Sequence, residues 1–361
     1  MEQKFIPKSL AASKESGKVT WQTPSNIALV KYWGKKNPQL PENTSISFTL
    51  SNCHTTTTLT YGKRKDVKGT YDFKVILDGK EEEDFKPKIE TFFKRIERYV
   101  PFLREYTFVI DTKNSFPHSS GIASSASGMS AIALCLMSIE KEININLTEE
   151  AFYQKASFLA RLGSGSACRS VKGDIVVWGA HENIEGSSDL YGIPYVDGVA
   201  SIFKNYQDTI LLIDKGEKQV SSTVGHNLMH GHPFAEQRFL QAQENINKIK
   251  DIFANSDVDQ FIELVESEAL TLHAMMMTSH PYFILMKPNT LEVINKVWTY
   301  RKKTGSKLCF TLDAGANVHL LYPEIEKEAV QEFIKSKLAI YCKDKSFIHD
   351  CVGSGAKQLK I

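Results

Sequence analysis

Residues 114–128 read NSFPHSSGIASSASG and lead directly into an apolar-periodic stretch that continues to Glu140. The small side chains and Gly121 let the backbone approach a ligand closely, and serine hydroxyls can donate hydrogen bonds to oxygen atoms. The helix that follows presents N–H groups without intrahelical partners and a partial positive charge at its first turn. The run therefore predicts an anion cradle that opens a helix over 124–140. An ordinary serine-capped helix after a flexible loop is the alternative.

Two common phosphate-binding motifs are absent from the sequence. It contains neither a GxxxxGKS/T P-loop nor a GxGxxG dinucleotide fingerprint. The serine-rich run at 114–128 is therefore the candidate phosphate site of this chain.

The composition of the chain bounds the class of protein. It has 361 residues, of which 42% are hydrophobic and 24% charged, and a formal net charge of +2. This length predicts two lobes, and the small net charge argues against nucleic acid as a partner. No apolar stretch approaches the roughly 20 residues of a membrane span, so we expect no membrane partner. Six cysteines without a CxxC pair predict reduced thiols and a cytoplasmic location.

Hydrophobic periodicity predicts helices and strands intermixed along the chain, which is typical of an α+β fold. The helical patterns lie at 86–99, 124–140, 148–161, 234–252, 258–277, 289–303 and 324–337. The runs that predict strands lie at 55–60, 71–77 and 106–110. The interval 179–199 is weakly periodic, so we place the boundary there, between an N-terminal lobe (1–190) and a C-terminal lobe (191–361).

Two lysines stand four residues apart in the stretch SNIALVKYWGKK at 25–36. Lys31 and Lys35 flank an aromatic pair in an otherwise apolar run, where an unpaired buried ammonium group would be costly. We therefore expect both lysines to face an anion. A strand edge with solvated lysines is the alternative.

A flexible turn rich in hydrogen-bond donors lies in the stretch ARLGSGSACRSVKGDIVVW at 160–178. Its GSGS segment precedes Arg169, and an apolar run that predicts a strand follows. An arginine beside such a turn can hold a carboxylate or a phosphate through two parallel hydrogen bonds. The alternative is a helix that ends at Gly163, with Arg169 on the surface.

A candidate base lies in the stretch CFTLDAGANVHLLY at 309–322. A β-patterned run ends at Asp313, a turn of small residues follows, and a second apolar run begins. An aspartate in that place can act as a general base or as an orienting carboxylate. Because aspartate is also a common turn residue, a purely structural turn is the alternative.

Three histidines, His226, His230 and His232, have a spacing that metal ligands also show. No glutamate lies between the first two, which excludes an HExxH hydrolase motif. We predict helix-end or surface roles for these histidines and no metal site formed by protein side chains.

Taken together, these segments resemble the diphosphomevalonate decarboxylase family of the GHMP kinase superfamily. The segments that carry the resemblance are NIALVKYWGK (26–35), NTSISFTLS (43–51), FPHSSGIASSASG (116–128), GSGSACRS (163–170), SSTVGH (221–226) and DAGANVH (313–319). The resemblance implies a GHMP kinase-like fold with two lobes around a deep active-site cleft. It also implies a left-handed βαβ unit, which is an exception to the usual right-handed crossover, and a homodimer.

In that family ATP phosphorylates the 3-hydroxyl of mevalonate 5-diphosphate, and loss of phosphate and carbon dioxide then yields isopentenyl diphosphate. The resemblance therefore implies mevalonate 5-diphosphate as the substrate, ATP with Mg²⁺ as the cofactors, and a place in isoprenoid biosynthesis. Relatives that act on the 5-monophosphate or stop at 3-phosphorylation are alternatives, and a catalytically silent ATP-binding regulator is a more distant one. The presence of Asp313, Arg169 and Lys31 together favours the complete reaction.

The resemblance gives four residues a catalytic role. Asp313 matches the aspartate that orients or deprotonates the 3-hydroxyl, and Arg169 matches the arginine that holds the substrate carboxylate. Lys31 matches a lysine near the transferring phosphoryl group, and Ser124 matches a serine that orients the ATP phosphates and the substrate. Phosphoryl transfer depends mostly on positioning and charge neutralisation, which such residues supply.

The resemblance also implies two binding sets. The substrate-binding set is Asn26, Tyr32, Trp33, Gly34, Lys35, Lys88, Ser164, Gly165, Ser166, Ala167, Cys168, Arg169 and Thr223. The nucleotide-binding set is Pro117, Ser119, Ser120, Gly121, Ala123, Ser124 and Ser125. The chain departs from the family where a diphosphate-binding arginine is usual, since only Lys86 and Lys88 occur there. Lys88 is the expected replacement, and it keeps the charge without the bidentate geometry.

Overall fold

The computed structural model describes residues 2–7, 14–65, 69–117, 122–214 and 222–360, apart from the side chains of Ser222 and Thr223. Three residues predicted to bind the nucleotide therefore lie outside the described residues: Ser119, Ser120 and Gly121. The strands within the described residues are β1 Ser16–Val30, β2 Lys35–Lys36, β3 Leu40–Pro41, β4 Ser45–Lys63, β5 Asp72–Leu77, β6 Lys80–Glu81, β7 Tyr106–Asn114, β8 Ile175–Trp178, β9 Gly192–Pro194, β10 Gln207–Leu211, β11 Cys309–Thr311, β12 Val318–Tyr322, β13 Phe347–Cys351 and β14 Lys357–Leu359. The α-helices are α1 Lys86–Ile96, α2 Ser124–Ile143, α3 Glu149–Gly163, α4 Ser222–Asn227, α5 Ala235–Asn255, α6 Val258–Met277, α7 Pro288–Thr304 and α8 Lys327–Phe333.

Two sheets organise most of these strands, and the mixture confirms the predicted α+β class. The first sheet has the order β14-β1-β4-β7-β5-β6, and β8 pairs with β4 and with β9. The second sheet has the order β11-β12-β10-β13, while β2 and β3 form a separate hairpin. Strands β5 and β7 are parallel neighbours joined through α1, which makes a βαβ unit. The left-handed course expected for such a unit stays a prediction.

The burial pattern of β4 reflects what covers its two faces. Residues 55–61 alternate between buried and more exposed positions, and the buried ones pack against the same core as α2. Residues 45–50 are buried without alternation. Helices of the C-terminal half pack on one face of this end, and Arg169 contacts Ser45 on the other, so both faces are withdrawn from water.

Strand β1 was not among the predicted strands, although it is one of the longest. It buries Thr20, Thr23, Ser25 and Asn26, so its sequence does not show the apolar alternation that predicts a strand. It also contains Pro24, which normally argues against a central strand. The register of β1 against β4 shifts between Pro24 and Asn26, and this irregularity accommodates the proline.

The two halves of the chain share an apolar core. Ile27 and Phe48 from the first sheet pack in one cluster with Phe253 of α5 and Phe261 of α6. The rings of Phe48 and Phe261 have their centroids 6.2 Å apart. This shared apolar cluster packs the two halves directly against each other at the base of the cleft.

The predicted boundary at 190/191 does not separate the two sheets. Strand β9, which follows the boundary, pairs with β8 in the first sheet. Strand β14, at the C-terminal end, pairs with β1 in the same sheet. The first sheet therefore takes strands from both predicted lobes, a pairing that periodicity alone does not show.

Most predicted helices are present with small changes at their ends. The prediction over 258–277 coincides with α6, and α2 extends three residues beyond the predicted end. The prediction over 86–99 is too long, because α1 ends at Ile96 in a turn that precedes Pro101. The prediction of one helix over 324–337 is wrong. A 3₁₀ turn, α8 and a π-helical turn at Ile334–Leu338 replace it, and apolar spacing does not distinguish these windings.

The described residues include neither a helix that could span a membrane nor a disulfide bond. No helix within the described residues is long and apolar enough to cross a bilayer. All six cysteines lie in the described part of the chain and carry free thiols, which agrees with the prediction of reduced cysteines. Five of them are buried, where a thiol packs as a small apolar group.

One buried carboxylate ties the second sheet to the first. Asp350, on β13, accepts hydrogen bonds at Oδ1 from the backbone N–H groups of Ser51 and Asn52, each at 2.8 Å. Its Oδ2 accepts a third bond from the N–H of Cys53 at 2.7 Å. These amides belong to β4, so a single side chain binds the middle of that strand from the other sheet.

Replacement of Asp350 by alanine should destabilise the protein strongly. The change leaves the amides of Ser51, Asn52 and Cys53 without their acceptor, and hydrogen bonds to a charged group are worth about 1.5–3 kcal/mol each. We expect the free energy of unfolding, measured with urea, to fall by about 3–5 kcal/mol. The exposed Asp251 on α5 supplies the control, since its replacement by alanine should change the value by less than about 0.5 kcal/mol. Equal effects of the two variants would contradict the role given to Asp350.

Candidate active site

A cavity of about 310 Å³ lies between the two lobes. The predicted site residues that line it are Lys31, Tyr32, Trp33, Lys35, Lys88, Ala123, Ser125, Ser164, Gly165, Ser166, Arg169 and Asp313. Residues from both halves of the chain therefore meet in one place. The lining residues that the sequence analysis did not place in this site are Ala28, Gln39, Gly163, His226, Leu272 and Ala314.

An ion pair crosses this cavity between Lys31 and Asp313. Lys31 Nζ lies 3.0 Å from Asp313 Oδ1. Lys31 follows β1 and its side chain is 2% exposed, whereas Asp313 follows β11 and its side chain is 35% exposed. The ammonium group is thus withdrawn from water while the carboxylate keeps an open edge toward a ligand.

The pKa of Asp313 lies below that of an ordinary aspartate. Burial alone would raise this pKa, but the electrostatic influence of Lys31 and Arg169 and the hydrogen bond from Lys31 help to outweigh the effect of burial. Burial lowers the pKa of Lys31, and the neighbouring Asp313 offsets part of that change. Asp313 is therefore ionised at neutral pH and can accept a hydrogen bond or a proton.

A buried network behind Lys31 holds its backbone in place. Glu268, on α6, accepts the Lys31 N–H at Oε2 at 2.8 Å. Arg238, on α5, donates from Nη1 to Glu268 Oε1 at 3.0 Å and from Nη2 to the Lys31 carbonyl at 3.1 Å. Asn245 donates a further bond of 2.6 Å to Glu268. The peptide groups on both sides of Lys31 are therefore fixed by charged side chains from the C-terminal half.

Sequence reasoning missed this network. Arg238 and Glu268 lie within two amphipathic helical patterns where charged residues usually face water. Only the packing of α5 on α6 against the first sheet shows that both side chains are fully buried. No signal in the sequence separates them from the solvated charges nearby.

His273 is a second residue that the sequence analysis did not place here. Its Nε2 lies 3.2 Å from the backbone carbonyl of Asp313, so this nitrogen carries the proton and donates. Burial, more than any other influence, lowers the pKa of His273 to about 4. The ring is therefore neutral at physiological pH and fixes the backbone of Asp313 without adding a charge.

Arg169 lies in the wall of the cavity and is held by neighbouring side chains. Its Nε donates to Asn26 Oδ1 at 3.3 Å, and its Nη1 donates to Ser45 Oγ. The guanidinium carbon lies 5.8 Å from the ring centroid of Trp178. Nη2 has no hydrogen-bond partner within the described part of the chain, so this edge is available to an anionic ligand.

The helix predicted to follow an anion cradle begins at the cavity wall. Ala123 precedes the first turn of α2 and has φ 44°, a left-handed conformation that an alanine adopts only when its surroundings impose it. Ser125 Oγ lies 3.4 Å from Ser164 Oγ, so the first turn of α2 meets the loop before Arg169. Ser124 occupies the first helical position and is half-buried, beside the lining residues and not among them.

The other predicted residues lie around these groups. Asn26 lies behind Arg169, Pro117 is exposed beside the residues that are not described, and the side chain of Thr223 is not described. Ala167 and Cys168 are buried in the core below the loop, so their side chains support the loop and do not reach the cavity. Gly34 has φ +94°, and a Cβ there would lie 2.9 Å from the Phe239 ring. Glycine is therefore required in the turn after Trp33.

The three histidines do not come together. His226 lines the cavity, His232 is buried with its Nε2 3.1 Å from the Met275 carbonyl, and His230 is exposed. Across the described residues, no group of three or more His, Cys, Asp or Glu side chains is arranged to hold a metal ion.

Two family models match the chain. Residues 23–190 match the diphosphomevalonate decarboxylase-like N-terminal domain, and residues 209–359 match the mevalonate 5-diphosphate decarboxylase C-terminal domain. The two models together cover most of the chain.

Curated relatives match along most of their own length. The diphosphomevalonate decarboxylase of Debaryomyces hansenii is 30% identical over 323 residues, which are 85% of this chain and 79% of that protein. The Aspergillus fumigatus enzyme is 29% identical over 89% of this chain and 80% of its own length. The human enzyme is 27% identical over 90% of this chain and 81% of its own length.

Solved structures have the same architecture. The mevalonate diphosphate decarboxylase from Enterococcus faecalis superposes with a TM-score of 0.79 and 26% identity, over 96% of this chain and 100% of that chain. The enzyme from Trypanosoma brucei gives a TM-score of 0.75 and 27% identity, over 95% and 98%. A structure described as MDDEF in complex with MVAPP, AMPPCP and magnesium gives a TM-score of 0.79 and 26% identity, over 96% and 100%.

The two-lobed α+β architecture, with a small-residue loop at the start of α2 and a cationic cleft, defines an enzyme of the GHMP kinase superfamily. Within that superfamily, the family models that match the N-terminal and C-terminal halves of the chain identify one family. The chain belongs to the diphosphomevalonate decarboxylase family.

Replacement of Glu268 by glutamine should lower stability, because it leaves the Arg238 guanidinium buried without its counter-charge. Removing one partner of a buried ion pair costs about 3–5 kcal/mol, and we expect a loss at the lower end because the amide keeps some hydrogen bonds. Urea unfolding monitored by circular dichroism measures the change. Glu263 is exposed on the same helix, and its replacement by glutamine should have an effect below about 0.5 kcal/mol. Wild-type stability of the Glu268 variant would show that the network does not hold Lys31.

Proposed function

We propose that the chain catalyses the ATP-dependent decarboxylation of mevalonate 5-diphosphate to isopentenyl diphosphate, carbon dioxide, ADP and phosphate. The observation that carries the proposal is the Lys31–Asp313 pair in a cavity that also holds Arg169. Phosphoryl transfer needs positioned charges more than covalent chemistry, and this arrangement supplies them. The names of the relatives in this family support the same reaction.

Asp313 and Lys31 are proposed to carry the phosphorylation step. The Asp313 carboxylate orients the substrate 3-hydroxyl and accepts its proton, because its pKa keeps it ionised and its open edge faces the cavity. The hydroxyl oxygen attacks the γ-phosphorus of ATP, and ADP leaves with the electron pair of the broken P–O bond. Lys31, 3.0 Å from Asp313, stabilises negative charge near the transferring group.

Arg169 is proposed to hold the substrate carboxylate during the second step. The free Nη2 edge points to this role, since Nε and Nη1 are bound to Asn26 and Ser45. When the bond between C3 and the phosphate oxygen breaks, phosphate takes the electron pair. The electrons of the bond to the carboxylate then form the carbon–carbon double bond, and carbon dioxide leaves. Phosphorylation precedes this step because phosphate is a much better leaving group than hydroxide.

The nucleotide is proposed to bind at the start of α2. Ala123 and Ser125 line the cavity there, Ser124 opens the helix, and the first-turn N–H groups favour negative charge. The remaining nucleotide-binding residues are proposed to be Pro117, Ser119, Ser120 and Gly121. Magnesium arrives on the ATP phosphates, since Mg²⁺ prefers phosphate oxygens and water to a cage of protein side chains.

The substrate diphosphate is proposed to occupy the end of the cavity lined by Lys35 and Lys88. Both lysines line the cavity, and their charges match a phosphate group. Tyr32, Trp33 and Gly34 shape the wall beside Lys35, and Ser164, Gly165 and Ser166 add donors from the facing loop. Thr223 joins this set from the family resemblance.

The cellular location, the assembly and the lobe boundary belong to the same proposal. The six free thiols support a cytoplasmic location, and the family resemblance supports a homodimer. The family models support a boundary in the interval 190–209, because one ends at residue 190 and the other begins at residue 209.

A product assay tests the proposed reaction. The purified chain is given ATP, Mg²⁺ and carboxyl-labelled mevalonate 5-diphosphate, and in parallel the 5-monophosphate, while ADP, phosphate and labelled carbon dioxide are followed. We expect equimolar release of all three from the diphosphate alone. ADP without carbon dioxide would instead identify a 3-kinase, and turnover of the monophosphate alone would identify a different substrate. No turnover of either compound would contradict an enzymatic role.

Replacement of Asp313 by asparagine should remove turnover while the nucleotide still binds. The amide keeps the size of the side chain but cannot accept the hydroxyl proton, so we expect kcat to fall by about 10²–10⁴-fold. A fluorescent ATP analogue should bind within about twofold of wild type, because the nucleotide is proposed to bind at the start of α2 and Asp313 follows β11. Turnover close to that of wild type would exclude Asp313 from proton transfer.

A further inference from the structure

His226 occupies an unusual place for a buried histidine. It lies on α4, lines the cavity and is 8% exposed. Its ring packs against the rings of Tyr32 and Trp33, with centroid distances of 4.2 Å and 4.6 Å. The helix comes close enough for this contact because residue 225 is glycine, where a Cβ would lie 2.6 Å from the Trp33 ring.

One hydrogen bond fixes the tautomer of this ring. His226 Nδ1 accepts the backbone N–H of Gly34 at 3.0 Å, so Nδ1 carries no proton and Nε2 carries one. Burial, followed by the charges of Lys35 and Arg169, lowers the pKa of His226 to about 3. The ring is therefore neutral, with a single N–H donor at Nε2.

That donor has no hydrogen-bond partner within the described part of the chain. Two other buried histidines of the C-terminal half, His232 and His273, have partners at this nitrogen. His273 Nε2 contacts the Asp313 carbonyl, and His232 Nε2 contacts the Met275 carbonyl while its Nδ1 accepts the N–H of Phe234. Because His226 lines the cavity, this unpartnered donor is placed to meet an acceptor on a bound ligand.

We propose that His226 is a substrate-binding residue that donates its Nε2–H to a phosphate oxygen of the substrate near Lys35, while its Nδ1 holds the Gly34 turn. This inference rests on the proposed function, because it places the diphosphate at that end of the cavity. A neutral donor adds a hydrogen bond to the anion without adding a third charge beside Lys35 and Arg169. The two ring nitrogens therefore have separate tasks, one structural and one for the ligand.

Two amide variants separate these tasks. In His226→Asn the side-chain oxygen can still accept the Gly34 N–H but no donor reaches the Nε2 position. In His226→Gln the amide reaches further and can restore that donor. We expect the Asn variant to bind mevalonate 5-diphosphate about tenfold more weakly in calorimetry without nucleotide, with ATP binding within about twofold of wild type. The Gln variant should bind the diphosphate more tightly than the Asn variant.

His232→Asn is the matched control, because it removes a buried histidine outside the cavity. It should lower the melting temperature and leave diphosphate affinity within about twofold of wild type. Wild-type affinity of a folded His226→Asn variant would overturn the proposal. An equal loss of ATP and diphosphate affinity would also overturn it, since that pattern indicates a general structural defect.

Nitrogen NMR of the wild-type protein tests the proposal without any variant. With labelled histidine, we expect His226 to show one protonated and one unprotonated ring nitrogen that do not titrate between about pH 5 and 8. Inorganic pyrophosphate should shift the Nε2 resonance. No shift, or protonation of both nitrogens, would refute the assignment. This probe needs no turnover. A shift of the Nε2 resonance without decarboxylation would refute the proposed reaction but keep His226 as part of an anion site. Decarboxylation without a shift would refute only the role of His226.

Discussion

The Lys31–Asp313 pair joins the two sheets at the floor of the cleft, and the rest of the site is arranged around its charge. A buried ammonium group is costly unless it is paired, so Lys31 requires a carboxylate nearby. Asp313 meets this need at 3.0 Å, and Glu268 receives the backbone N–H of the same lysine. Arg238 and Arg169 add two cations against these two carboxylates. The cleft therefore keeps a positive charge, which suits anionic phosphate groups.

This charge arrangement depends on a rigid connection between the lobes. The shared core around Phe48 and Phe261, the contacts of Asp350 with β4 and the return of β14 to the first sheet all provide it. Because these contacts are tightly packed, the distance between the end of β1, which carries Lys31, and the turn that carries Asp313 is held constant. Preorganised charges stabilise a transition state without the cost of rearrangement.

The chain uses buried histidines as neutral hydrogen-bonding groups around this charged site. His273 fixes the backbone of Asp313 and His226 fixes the turn at Gly34. Burial, the leading influence, lowers the pKa of both rings below the physiological range, which prevents further positive charge in a site that already has several cations. His226 belongs to a group of three histidines whose spacing resembles that of metal ligands, yet in the fold its ring binds the backbone of Gly34.

The sequence alone predicts those features of the fold and the site that depend on residues close together in the chain. Helix periodicity was sufficient for α6 and nearly so for α2, and the serine-rich run identified the start of α2, which lies at the cavity wall, because these signals are short in range. The motifs around Lys31, Arg169 and Asp313 were recognisable from residue type, and the fold brings them together. Strand β1, with its buried polar residues, could not be found by alternation. The roles of Glu268, Arg238 and His226 were decided only by tertiary structure, because burial and the identity of a charged neighbour depend on residues far away in the chain.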